Sequence, residues 1–186
     1  FLMWQPEHNR FSVSLHEASH AVSAEGYSVP YLGITLKPDE AGFAGGFRFD
    51  LKETQQSLHN LQKAHPERLG RAFTHIAVVI LIAEFADLEY CAAFGLTTEE
   101  AAKRSGGDKD LLETEIFDRF NVPVDARAQL RENAQAVAKE LVLHPGFRDA
   151  VHTVAEMLSE GDGDLDRNTI HEIVEQANLP RKSMTE

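Results

Sequence analysis

Cysteine is almost missing from this sequence. A single residue, Cys91, among 186 excludes an internal disulfide framework and any cysteine-rich metal site. A metal bound here would have to be held by imidazole and carboxylate. Cys91 itself lies in an apolar stretch and reads as a core residue rather than a nucleophile. Basic residues are scarce as well: 18 Lys and Arg against 30 Asp and Glu leave a net charge of -12, which disfavours nucleic acid and anionic lipid as partners. Long hydrophobic runs are also lacking. The longest, Ile76 to Ala83, is too short to span a bilayer, and no basic segment followed by an apolar signal core opens the chain. A soluble, cytoplasmic location is therefore expected. The start at Phe1-Leu2-Met3-Trp4, without an initiating methionine, leaves room for an upstream anchor or further domain. No Walker phosphate loop occurs, so the chain cannot hydrolyse ATP by that mechanism. There is no internal repeat and no low-complexity tract.

What remains is a chain 42% hydrophobic and 26% charged, of a length that suits one compact domain. Its patterning is mostly of helical period. Leu15, Ala18 and Val22 recur three and four apart between Phe11 and Glu25, which predicts a first helix with one buried face, ended by Tyr27 to Pro30. Two short glycine-bounded runs, residues 33–38 and 42–49, predict a pair of strands or a hairpin, the one clear β signal. Further helices are predicted over 54–64, 67–94, 108–120, 123–143, 145–159 and 168–177. The stretch Ile76 to Ala86 is apolar nearly all round and marks the centre of the core. Gly161-Asp162-Gly163-Asp164 reads as a turn, without the ligand spacing of a calcium loop. The expected fold is mainly α (α+β): a helical domain with a small sheet or hairpin beside the first helix, residues 1–120 forming a metal-binding core and 121–186 the C-terminal helices.

The first helix carries His16-Glu17-Ala18-Ser19-His20. Histidines four apart on a helix present both rings on one face, close enough to share a metal ion. The glutamate after the first lies beside the open coordination position. This is the geometry of zinc hydrolysis: zinc lowers the pKa of its water to about 7, and Glu17 takes the proton as the water attacks a carbonyl and passes it to the departing amine. The small residues Ala18, Ser19 and Ala21 let another segment approach the helix closely. A third histidine six residues after the second is absent, since Ser23 and Gly26 occupy the two diagnostic places. The third ligand must come from elsewhere, and the acidic candidates are Glu84, Asp87, Asp108 and Asp110. Glu84 and Asp87, on the central helix, are alternatively hydrogen-bonding partners that orient a ligand imidazole. His8, His59, His65, His75, His144, His152 and His171 lack paired spacing and read as surface or core residues.

In this order of motifs the chain resembles the peptidase domain of FtsH-type membrane-associated, ATP-dependent zinc proteases. Their His-Glu-Ala-Gly-His helix corresponds to His16 to His20, their Gly-Gly-aromatic strand segment to Gly45-Gly46-Phe47, and their apolar helix to Ile76 to Asp87. Their Ser-Asn-Asp-Leu-like loop corresponds to Ser105 to Leu111, and their C-terminal Leu-Asp turn to Asp164-Leu165-Asp166. Ser19 stands where that family has glycine, and its Gly-Gly-Arg segment is missing near Leu81 to Glu84. The resemblance implies a zinc metallopeptidase acting on extended polypeptide. His16, His20 and Asp110, the aspartate before leucine, would be its metal ligands and Glu17 its catalytic base. The alternative for Asp110 is a helix cap, since Asp110-Leu111-Leu112-Glu113 fits a capping box, and Asp108 would be the reserve ligand or a helix cap. The resemblance further implies that a substrate pairs with an edge strand at 42–49, and that a homo-oligomer or a separate ATPase is a partner. The alternative for that strand is an ordinary hairpin with Phe43, Phe47 and Phe49 facing the core. The alternative for the whole chain is a non-catalytic zinc-binding regulatory or interaction module.

Overall fold

The computed structural model describes residues 6–37, 46–92, 95–177 and 179, with side chains from residue 10 onward. Among them, α1 (Pro6–Tyr27) leads into β1 (Tyr31–Thr35), β2 (Gly46–Phe49) and α2 (Leu51–Ala64). A 3-10 turn at Pro66–Arg68 then opens α3 (Leu69–Tyr90). After α4 (Thr98–Arg104), α5 (Gly106–Leu111) continues as a π-helical stretch at Leu112–Asp118. The chain ends with α6 (Val124–Leu143), α7 (Pro145–Glu160), β3 (Asp164–Asp166) and α8 (Arg167–Gln176). The fold is mainly helical with a small sheet against the motif helix, as the sequence pattern predicts. Residues 42–45 of the expected second strand lie outside the described residues.

Burial sets α1 and α3 at the centre. The amphipathic reading of α1 underestimates it: every residue from Ser14 to Glu25 is buried, so the helix has no solvent face there. Small residues make this possible, because Ala18, Ala21 and Ala24 admit close neighbours. The serine hydroxyls are satisfied within the helix itself, Ser14 donating to the Arg10 carbonyl, Ser19 to Leu15 and Ser23 to His20. α1 packs on α3, α7, α8 and the first two strands, and α3 packs on α6 as well as α1. One hydrophobic cluster runs from Leu15 to Val174, so the C-terminal helices share a single core with the N-terminal part. By length and composition Pro66–Tyr90 is apolar enough to cross a membrane, but most of its apolar window is buried inside the fold as the core helix.

The helix boundaries follow from capping. Asp50 accepts from the Glu53 amide to start α2, and Asp166 from the Thr169 amide to start α8. Thr97 and Glu100 close a reciprocal capping box that starts α4, a helix the apolar periodicity does not predict. The sheet is antiparallel in the order β2-β1-β3, so the expected hairpin gains a third strand from the turn after α7. Gly33 makes that pairing possible. It sits at φ +148, and a Cβ there would overlap the Leu165 carbonyl and the Arg48 guanidinium. Gly33→Ala should therefore destabilise the protein by roughly 1–3 kcal/mol through strain and loss of the β1–β3 pairing, as read from a urea denaturation midpoint. An unchanged midpoint would contradict this account of the sheet.

Candidate metal centre

The burial of α1 from Ser14 to Glu25 brings His16, Glu17 and His20 into the interior, where each polar atom needs a partner. The structure supplies them on one side only. His16 Nδ1 lies 2.9 Å from Asp87 Oδ2 on α3, and His20 Nδ1 lies 2.7 Å from the Val79 carbonyl oxygen. A carbonyl can only accept, so His20 donates from Nδ1, and the Asp87 carboxylate demands the same of His16. A neutral imidazole that donates from Nδ1 has a bare lone pair on Nε2. Both Nε2 atoms face the same oxygen, Asp108 Oδ2, at 3.6 Å from His16 and 3.5 Å from His20. That oxygen is buried and has no hydrogen bond of its own. Three acceptors thus converge without a donor, and their ligand atoms lie within 4.8 Å of one another. Such a set is suited to a cation, and His16, His20 and Asp108 could hold a metal ion between them.

Here the structure corrects the sequence reading. Asp110, expected as third ligand, is not in this group; it is exposed, and its backbone carbonyl accepts from Thr114 Oγ1. Helix phase is the reason. Two residues apart on a helix face about 200° away from each other, so Asp108 and Asp110 cannot serve one site. Asp108 lies in a row with the buried Leu112 and Ile116, whereas Asp110 lies in a row with the exposed Thr114 and Asp118. Nor is Asp110 a helix cap, since it is inside α5. The apolar spacing after each aspartate was the signal that separates them. Asp87 takes the orienting place suggested for it against His16, while Glu84 pairs with Lys109 Nζ at 2.7 Å.

Glu17 is buried beside the group without belonging to it. Burial raises its carboxyl pKa, opposed by the charges of His16 and His20, and it accepts a hydrogen bond from the Phe47 amide of β2. The Phe47 ring stacks on His20 at 5.3 Å between ring centroids and on Tyr31 at 5.4 Å. The sequence did not reveal this contact, because the register that places Phe47 there depends on how β2 lies against α1. Without a cation, protons on the rings would satisfy the same acceptors. Burial favours neutral rings, but the Asp108 and Asp87 carboxylates outweigh it and push His16 up to about 10. His20 rises in the same way against Asp108. Asp108 is held below the usual carboxylate range, where burial is overcome by the two histidines.

Comparison with known proteins gave no match among family models, curated proteins or solved structures.

Two outcomes are expected of the isolated protein. Asp108→Asn should weaken binding of a divalent metal at least about ten-fold, because an amide carries no charge to the ion. Asp110→Asn should leave binding unchanged, and the reverse result in a chelator-competition titration would restore Asp110 as the ligand. The second outcome concerns protons. With its folded pKa above the unfolded value of about 6.5, His16 gives the metal-free chain a stabilisation that is complete below that value. This stabilisation is lost as pH rises through about 10. Metal binding near neutrality must displace the proton, so calorimetry at pH 7 in buffers of different ionisation enthalpy should show about one to two protons released per metal. Binding without proton release would contradict the protonation of the free site.

Proposed function

We propose that this chain is a zinc-dependent metallopeptidase that hydrolyses peptide bonds in extended polypeptide. The observation that carries this reading is Glu17: a buried carboxylate, adjacent to the three converging ligand atoms yet not one of them, with a raised pKa. A metal site built only for stability has no use for such a group and closes its fourth position with a protein ligand. Two imidazoles and one carboxylate leave that position open. The same donor set suits iron(II), and the placement of Glu17 is what favours hydrolysis over oxygen chemistry.

Zinc bound by His16, His20 and Asp108 would supply a Lewis acid, lowering the pKa of a water to about 7 and polarising a carbonyl. The residues of the chain do the rest. Asp87 and the Val79 carbonyl fix the tautomer and plane of the two rings, so that neither needs to reorganise during the reaction. Glu17 takes the proton of the attacking water on its carboxylate and delivers it to the departing amide nitrogen. A carboxyl whose pKa is raised by burial suits both transfers. β2 is the edge strand on this side of the sheet, paired among the described residues only with β1. Its outer edge would offer backbone groups to an extended peptide, and among the described residues a Cβ on Gly46 would meet nothing within 4 Å. The acidic net charge agrees with a polypeptide substrate rather than nucleic acid. No Walker loop is present in these 186 residues, so any ATP-driven delivery would come from outside them.

The test is hydrolysis of an unfolded polypeptide by the zinc-loaded chain, which needs no unfolding partner. Cleavage should cease on chelation and return with zinc. Glu17→Gln should keep the metal and the fold while lowering the rate by about 10²–10⁴-fold, because an amide cannot accept the proton. Zinc-loaded protein that leaves unfolded substrate intact would speak for a non-catalytic metal-binding module. Undiminished cleavage by Glu17→Gln would place the base elsewhere.

A further inference from the structure

Behind His16, away from the ligand atoms, a second polar set has no part in the chemistry above. Asp87 is fully buried, and only Oδ2 is used by His16. Its other oxygen, Oδ1, lies 3.8 Å from the Cys91 sulfur and 3.7 Å from Arg104 Nη1. The Cys91 thiol is pushed up to about 12, mainly by burial and then by the Asp87 charge, so it is a neutral donor. The opposing charge at Oδ1 is that of Arg104. A carboxylate cut off from water requires such a charge, and a guanidinium provides it without the possibility of deprotonation.

The same Arg104 nitrogen donates to Ser12 Oγ at 2.7 Å. Ser12 is on α1, one turn before His16. Arg104 is also the last residue of α4 and stands four positions before Asp108, so it occupies the corner that carries the third ligand. The far side of that corner is fixed by Lys109, whose Nζ lies 2.7 Å from Glu84 Oε2 on α3. The start of α4 is fixed by its capping box. The α4–α5 corner is therefore clipped to α1 by Arg104 and to α3 by Lys109, with Asp108 between the two clips.

We propose that Arg104 is a positioning residue of the metal site, acting through Asp87 on His16 and through Ser12 on Asp108. One guanidinium serves both functions. It holds the Asp87 carboxylate turned so that Oδ2 remains on His16 Nδ1, and it holds the corner close enough to α1 for Asp108 to reach both Nε2 atoms. This proposal rests on the metal-binding reading of His16, His20 and Asp108 but not on hydrolysis.

The experiment is a zinc affinity measurement by chelator competition on the full chain and its variants. Arg104→Met should lower zinc affinity about 10- to 100-fold, the range seen when an orienting partner of a ligand is removed. Arg104→Lys keeps the charge without the planar fork and should recover part of the loss. Ser12→Ala, which removes only the clip to α1, should lose less. The visible spectrum of the cobalt(II)-substituted protein adds a readout that a purely structural role would not move: Arg104→Met should alter the band positions and intensities that report ligand geometry, whereas circular dichroism of the metal-free form should match wild type. Wild-type affinity and an unaltered cobalt spectrum in Arg104→Met would overturn the proposal. If that variant does not fold, wild-type affinity in both Arg104→Lys and Ser12→Ala would overturn it. Failure of the wild-type chain to bind zinc would instead count against the metal-binding reading itself.

Discussion

The structure depends on a constraint of hydrogen-bond chemistry: two imidazoles whose Nδ1 hydrogens are already committed to Asp87 and to the Val79 carbonyl turn two bare nitrogens toward one buried carboxylate oxygen. An apolar core would never retain such a set unless something stabilised it, since each unpaired buried polar group costs on the order of 1–3 kcal/mol. Protons can fill the gap in the free chain and a divalent cation can fill it in the loaded one. Much of the architecture follows. α1 must be central because three elements have to reach it: α3 to orient the rings, α5 to bring Asp108, and β2 to bring Phe47 against His20 and its amide to Glu17. Small residues along α1 make the centre accessible to all three, and the in-helix serine bonds remove the cost of burying it on every side.

The two faces of the motif helix are treated differently. The Nδ1 side is buried, hydrogen-bonded to α3 and charge-balanced by Arg104 of α4. The Nε2 side carries the orphaned oxygen, the raised Glu17 carboxyl and the edge of the sheet. This division suits a metal site in which the orientation of the ligand rings is settled in advance. It also explains why the small sheet matters despite its size. Gly33 lets β3 approach β1, β1 registers β2, and β2 sets where Phe47 meets His20.

Most of the helices were legible because their signals are local. The histidine pair four apart, the all-apolar stretch from Ile76, and the prolines at 123 and 145 each specify an element without reference to the rest of the chain. α4 escaped because it is short and mostly polar, although Thr97 and Glu100 carry the capping-box spacing that marks its start. β3 escaped because three residues become a strand only when a glycine on another strand permits the pairing. The candidate site divides the same way. His16, Glu17 and His20 follow from one helix, and Asp87 from its place on the buried helix α3. The choice between Asp108 and Asp110 required helix phase, which Leu112 and Ile116 encode and which a motif carried over from the aspartate before leucine does not respect. Arg104 and Phe47 depend on contacts between distant segments, for which the sequence has no periodic signature.

The most direct test is an anomalous-scattering map from crystals of the zinc-loaded chain. One peak is predicted, about 2.0–2.2 Å from His16 Nε2, His20 Nε2 and an Asp108 carboxylate oxygen, with Asp87 still bonded to His16 Nδ1. No peak on these histidines at saturating zinc, or a peak whose third protein ligand is Asp110, would contradict the account.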